Sequence, residues 1–216
     1  MNLSTMQNRI LTSLALFTLL ILMFQSLFIS TYLLIVFGVL SIIEFIKILN
    51  KIFIKKILKI FFNIFFIIYI TAFCYFFYSL SSYFFTKIIL FTLMLGCVAS
   101  DIGGYLFGKF FKGRKLTKIS PNKTYSGAIG SIILANILIS ILFFLYTNSA
   151  SYLILIVSTI TSFGCQIGDL FFSYLKRKAK IKDTGSILPG HGGVLDRLDG
   201  ILLGVPTGYI LLILIT

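Results

Sequence analysis

The chain has 216 residues, 58% of them hydrophobic, with 24 Phe, 11 Tyr, no Trp and a formal net charge of +13. A mean hydropathy of +1.05 lies far outside the range of soluble domains and marks an integral membrane protein. The positive charge is confined to short segments between apolar runs, so no nucleic-acid partner is expected and the cations point to membrane orientation and anionic ligands.

Seven apolar spans are predicted in chain order, at 10–24, 27–43, 60–80, 88–107, 127–146, 151–172 and 200–215. Several approach the roughly 20 residues that a helix needs to cross the hydrocarbon. The expected fold is therefore all-α, a polytopic single membrane domain over 1–216, with hydrophobic N-terminal helices in 1–98 and the chemistry in 99–216. The first two spans meet at Gln25-Ser26 as a tight hairpin or one irregular element. Arg9 and the apolar run after it resemble a secretory signal. No small-x-small cleavage site follows before Tyr32, so the run is expected to be a retained span. Cys74, Cys97 and Cys165 lie widely separated inside apolar spans and read as packing residues.

With the N-terminus inside and the C-terminus outside, Arg9, the five lysines from Lys47 to Lys59, the six cations from Lys109 to Lys123 and the six from Lys176 to Arg197 all face the cytoplasm. Only Lys87 is left outside. The segment 44–59, EFIKILNKIFIKKILK, alternates Lys with apolar residues at helical spacing. It is expected to lie on the inner leaflet as an amphipathic helix, with Lys47, Lys51, Lys55 and Lys59 toward anionic headgroups.

Four polar features interrupt the apolar pattern. Asp101, at the cytoplasmic edge of the fourth span, is either functional or the partner of a nearby cation, because unpaired charge in that medium is expensive. The island KISPNKTYSGAIG sets Ser120, Lys123, Thr124 and Ser126 before a helix start, which suits phosphate and is also an ordinary N-cap pattern. Asp169 follows Gly168 near the end of the sixth span, one turn before Ser173, while Ser162, Gly164 and Gly168 would admit a closely packed helix.

The fourth feature, 173–199, SYLKRKAKIKDTGSILPGHGGVLDRLD, holds six of the 19 Lys and Arg, three of the six acids and the one His. Asp196 and Asp199 are three apart, and on a helix both project from one face, a divalent-cation arrangement. Lys176, Arg177, Lys178, Lys180 and Lys182 supply charge for phosphate, and Gly190, Gly192 and Gly193 let backbone amides approach an anion. A plain basic juxtamembrane loop would carry similar cations. It does not account for Asp183, Asp196 and Asp199 among the lysines. Folding the loop back as a re-entrant segment would bring Asp169 to Asp196 and Asp199.

Read as S-x2-K-R-x4-K-D-x-G-x2-L-P-x-H-G-G-V-x-D-R-x-D from Ser173 to Asp199, this segment resembles the signature of the phosphatidate cytidylyltransferases (CDP-diacylglycerol synthases). The resemblance runs from about Ala99 to Gly204, and the chain looks shorter at its N-terminal end than many family members. It implies transfer of CMP from CTP to phosphatidic acid, giving CDP-diacylglycerol and pyrophosphate in phospholipid biosynthesis, with Mg²⁺, at a bacterial inner membrane. By the same resemblance Asp169, Asp196 and Asp199 hold the metal, and Lys123, Lys176, Arg177, Lys182 and His191 contact phosphates. Asp183 orients a lysine. Ser120 and Thr124 join CTP binding through a segment like S-P-x-K-T-x-E-G. Gly192, Gly193 and Arg197 belong to the substrate loop, and Asp101 and Tyr105 match a family Asp and Tyr. Two positions depart, Asn122 where a second Lys is common and Ser126 where Glu or Gln is common.

Membrane lipids are expected partners, and the sequence leaves open a second metal ion and a homodimer. His191 admits three roles: general base, phosphate contact or loop geometry. The contact is favoured, because a phosphate monoester with a second pKa of about 6 is already largely ionised near neutral pH. A CTP-dependent lipid-alcohol kinase is the runner-up. CDP-alcohol phosphotransferases are disfavoured because Asp199-Gly200 is followed by Ile-Leu-Leu-Gly rather than D-G-x2-A-R. A transporter would also carry Asp101 and Asp169, but no internal repeat is evident.

Overall fold

The computed structural model describes residues 3–117, 119–121, 123–188 and 192–215. Among these, seven α-helices follow one another: α1 (Leu3–Gln25), α2 (Leu27–Ile52), α3 (Lys56–Ser81), α4 (Phe84–Phe111), α5 (Tyr125–Thr147), α6 (Tyr152–Lys178) and α7 (Leu195–Ile215). Six of them, α2 to α7, are long and apolar enough to cross a membrane, and α1 contributes a shorter apolar stretch, Leu11–Gln25. Large apolar side chains such as Phe61, Phe65 and Ile68 on α3 and Ile133, Ile137 and Ile141 on α5 stand exposed. Water would not tolerate so extensive an apolar surface, whereas lipid makes it the favoured one. The architecture is that of a polytopic membrane protein.

Helix boundaries follow local chemistry. Ser26 is the single residue between α1 and α2, and its hydroxyl accepts the Ile29 amide as an N-cap. Thr124 caps α5 through the Gly127 amide, and Asn148 ends that helix in the left-handed region at φ 51°.

The chain divides into two compact units, one of 1–87 with 175–198 and one of 88–174 with 199–216. In the first, α2 packs against α1 and α3. Cys74 donates to the Leu34 carbonyl over 3.7 Å, and Phe45 stacks on Phe66 at 3.8 Å between centroids. The expected amphipathic helix over 44–59 is corrected here. Its first half is the end of α2, with Glu44, Phe45, Ile48 and Leu49 buried. The chain is then extended at Phe53 (φ −106°, ψ 133°) and Lys55 (φ −70°, ψ 120°) before α3 begins. The β-branched and aromatic run Ile52-Phe53-Ile54 propagates a helix weakly. Tertiary contacts hold the break: Phe53 stacks on Phe62 at 5.2 Å and lies under Lys178 Nζ at 5.5 Å.

In the second unit small residues let helices approach closely. A Cβ added at Gly130 of α5 would strike the Phe107 ring of α4, and one at Gly103 would strike the Gly130 carbonyl. Gly164 and Gly168 of α6 meet Thr207 and the Asp199 carbonyl of α7. Ser162 shares a 2.8 Å hydrogen bond with Ser100 of α4. Here the close approach expected at Ser162, Gly164 and Gly168 is realised, and hydroxyls that would be costly in hydrocarbon are paired with each other.

Candidate active site

In the first unit the polar loop leaves α6 through a defined cap. Lys180 takes φ 55°, its amide donates to the Arg177 carbonyl, and the Ile181 amide donates to the Lys176 carbonyl, both at 3.0 Å. These two bonds form a Schellman closure with a lysine where glycine is usual. The return limb is held by the Leu188 amide donating to Gly192 O at 2.9 Å. Gly192 sits at φ 82°, and a side chain there would meet Asp196 Oδ2 at 2.7 Å and Asp183 Cβ at 3.4 Å. Only glycine fits.

Both limbs converge on Asp196 in the first turn of α7. Its Oδ1 accepts from Lys176 Nζ at 2.7 Å. Its Oδ2 accepts from the amides of Thr184 at 2.8 Å and Gly193 at 3.0 Å, and lies 3.1 Å from the Thr184 hydroxyl. The two charged side chains are only 12% and 7% exposed. A pair that deeply desolvated is stable only because the carboxylate is saturated with donors.

Beneath it lies a residue that the sequence reading placed on a surface helix. Glu44 of α2 is 1% exposed and takes three hydrogen bonds: Thr184 Oγ1 at 2.7 Å, the Val194 amide at 3.0 Å and the Leu195 amide at 2.9 Å. It caps α7 from a helix 150 residues away. The missed signal was present: the one Glu of the chain, inside an apolar run, is an intramembrane acid of the same kind as Asp101. Thr184, an unspecified position of the signature, carried no such signal.

Around this core, Arg177, Lys178, Lys180, Lys182, Asp183 and Arg197 are exposed. Arg177 also donates to the Ile181 carbonyl at 3.3 Å. Lys182 and Asp183 thus lie on the open side of the loop. His191 and Gly190 lie outside the described residues, as does Asn122.

In the second unit, Lys123 forms an ion pair with Asp169, and Ser173 Oγ donates to the other oxygen of Asp169 at 3.3 Å. The Lys123 and Asp169 side chains are about a quarter exposed, 26% and 28%, so charge is gathered here at an accessible place. The island that carries Lys123 is closed by the Leu116 amide donating to Lys123 O at 2.7 Å and the Tyr125 amide donating to Arg114 O at 3.0 Å. Ser120 accepts the Lys123 amide through its carbonyl at 3.0 Å. Thr124 Oγ1 caps α5 and lies 3.0 Å from Ser126 Oγ, so its side chain serves the helix start in this structure. Asp199 is buried, 9% exposed, with Oδ1 accepting the next amide, that of Gly200, at 2.9 Å. Asp101 accepts from Cys165 Sγ at 3.6 Å. Tyr105 is 66% exposed, and Lys109 Nζ lies over its ring at 5.8 Å.

Within neither unit do three or more His, Cys, Asp or Glu side chains among the described residues converge as a metal-binding group. Taken singly, the acids differ in fit. Asp169 is accessible and holds a cation already. Asp196 offers a further lone pair on Oδ1 only, because Oδ2 is filled by amides.

The family model described as "Cytidylyltransferase family" matches residues 2–215. Among similar proteins, the phosphatidate cytidylyltransferase of Helicobacter pylori is 41% identical over 128 residues, which is 59% of this chain and 48% of that protein. The protein of the same name from Rickettsia felis is 45% identical over 115 residues, 50% of this chain and 51% of its own. That from Staphylococcus haemolyticus is 47% identical over 116 residues, covering 53% and 45%. The chain spans about half the length of the curated relatives it matches. Because the family match takes in the N-terminal helices, both polar islands and α7 together, the chain belongs to the cytidylyltransferase family.

Proposed function

We propose that the protein transfers CMP from CTP to phosphatidic acid. A phosphate oxygen of the lipid attacks the α-phosphorus of CTP, the bond from that phosphorus to the bridging oxygen of the β-phosphate breaks, and pyrophosphate leaves. The observation that carries this reading is the cation-rich loop built on Asp196. Its acid core is internally satisfied, which leaves Arg177, Lys180 and Lys182 exposed for phosphate oxygens. Within the other unit Lys123, paired with Asp169, is a cation suited to phosphate in its own right. Exposed cations of this kind stabilise charge that spreads over oxygens during transfer.

Mg²⁺ bound with the triphosphate would neutralise its charge and that of the leaving pyrophosphate. Asp196 in the first unit, and Asp169 and Asp199 in the second, are each a carboxylate that would serve such an ion as a ligand. Asp169 fits that role by its exposure, and Asp196 fits it through Oδ1 once Lys176 turns to phosphate. The polar islands face the cytoplasm, where CTP is found. This assignment puts 18 of the 19 cations inside, leaving Lys87 on the outer side with its Nζ over the Phe24 ring at 5.1 Å.

Purified full chain incubated with CTP, phosphatidic acid and Mg²⁺ is expected to give pyrophosphate and a CDP-lipid in equal amounts. Free CDP with a newly phosphorylated lipid would overturn this in favour of the lipid-alcohol kinase.

A further inference from the structure

We propose that Glu44 is a positioning residue for this reaction, clamping both limbs of the cationic loop and thereby fixing Asp196 and Lys176; the inference rests on the nucleotidyl-transfer reading above. The outgoing limb is gripped at Thr184 Oγ1 (2.7 Å) and the return limb at the amides of Val194 (3.0 Å) and Leu195 (2.9 Å). Neither Gly193 nor Val194 has a side chain able to cap α7, so the orphan amides of its first turn take their acceptor from α2. The positive end of the helix dipole in turn favours a carboxylate there over a neutral group.

The geometry links this clamp to the chemistry. Thr184 and Gly193, one on each limb, also aim their amides at Asp196 Oδ2, at 2.8 and 3.0 Å. The Thr184 hydroxyl has one proton, and the 2.7 Å contact assigns it to Glu44 rather than to Asp196 at 3.1 Å. The limbs are thus pinned from below by Glu44 and closed from above by Asp196, which leaves Asp196 Oδ1 directed at Lys176. There is also no slack at the clamp: a Cβ on Gly193 would strike Glu44 and Thr184, and one on Gly185 would come within 2.6 Å of Glu44 Oε1.

The test exploits the fact that Gln cannot replace Glu here. All three groups facing the carboxylate donate, on both of its oxygens, so an amide NH₂ necessarily faces at least one N–H. Glu44→Gln is therefore expected to lower kcat by about tenfold or more, the effect of one buried donor left without an acceptor, while KM for CTP changes by no more than about threefold. Thr184→Val should lower kcat several-fold, with Thr184→Ser restoring it. Independently of activity, trypsin should cut the loop after Lys180 and Lys182 faster in Glu44→Gln and Thr184→Val than in the wild type. Wild-type kcat together with wild-type cleavage in Glu44→Gln would overturn the proposal. Should Glu44→Gln fail to accumulate, the same result in Thr184→Val would overturn it. A wild-type protein that makes no CDP-lipid would instead sink the functional reading, and the cleavage contrast would still decide whether Glu44 holds the loop.

Discussion

Asp196 is the residue on which most of the polar loop depends, because two backbone amides and one ammonium end on its carboxylate. In Asp196→Asn the amide oxygen can keep the Thr184 and Gly193 bonds, but the NH₂ then faces Lys176. Turnover is expected to fall by about two orders of magnitude with the protein still inserting and purifying. Near-normal kcat at saturating Mg²⁺ would remove Asp196 from the reacting site. Gly192 makes a separate prediction at the same scale. At φ 82° a side chain is strained, and its Cβ would lie 2.7 Å from Asp196 Oδ2. Gly192→Ala should therefore reduce activity comparably and raise trypsin sensitivity of the loop, and a variant with wild-type turnover would show that the loop adopts another conformation in catalysis.

At the scale of elements, close contact between α4 and α5 places the Lys123 island at the end of a rigid pair. Lipid tails are as apolar as Leu, so such helices associate by packing and by polar contacts rather than by hydrophobic exclusion. Gly130→Val would push α5 off the Phe107 ring and is expected to cost about 1–3 kcal/mol. A fall in Tm of the detergent-solubilised protein, with loss of activity secondary to it, is the measurable result; an unchanged Tm would mean that the two helices are not in close contact. The break between α2 and α3 shows why helix ends were less legible than helix interiors. The 44–59 stretch has a continuous helical pattern, yet Phe53 leaves the helix to pack between Phe62 and Lys178, and no local periodicity signals a partner 125 residues on.

At the scale of the whole molecule, the charge pattern makes an orientation testable. In a chain with Cys74, Cys97 and Cys165 replaced by Ala, Ser186→Cys in the cationic loop should react with a membrane-impermeant maleimide only from the cytoplasmic side. Ser149→Cys, in the short turn between α5 and α6, should react only from the opposite side. Reversed labelling would overturn the N-inside assignment. Both positions are exposed, so access to reagent is governed by the bilayer alone.

Composition, apolar run length and residue spacing sufficed for the class of the protein, the existence of the helices and the identity of the two polar islands. Apolar runs of membrane-spanning length have few other stable conformations, since a backbone in hydrocarbon must satisfy its own hydrogen bonds, and the loop signature of 173–199 is dense enough to be read directly. Which charge answers which depends on the packing of the folded chain. Lys176 closes on Asp196 across 20 residues, Lys123 in the segment before α5 meets Asp169 of α6, and Glu44 caps α7 rather than lying on a lipid surface. In a low-dielectric interior the state of an ionised group is set by donors a few ångströms away in space, and that distance is a property of the packed chain that neither composition nor periodicity encodes.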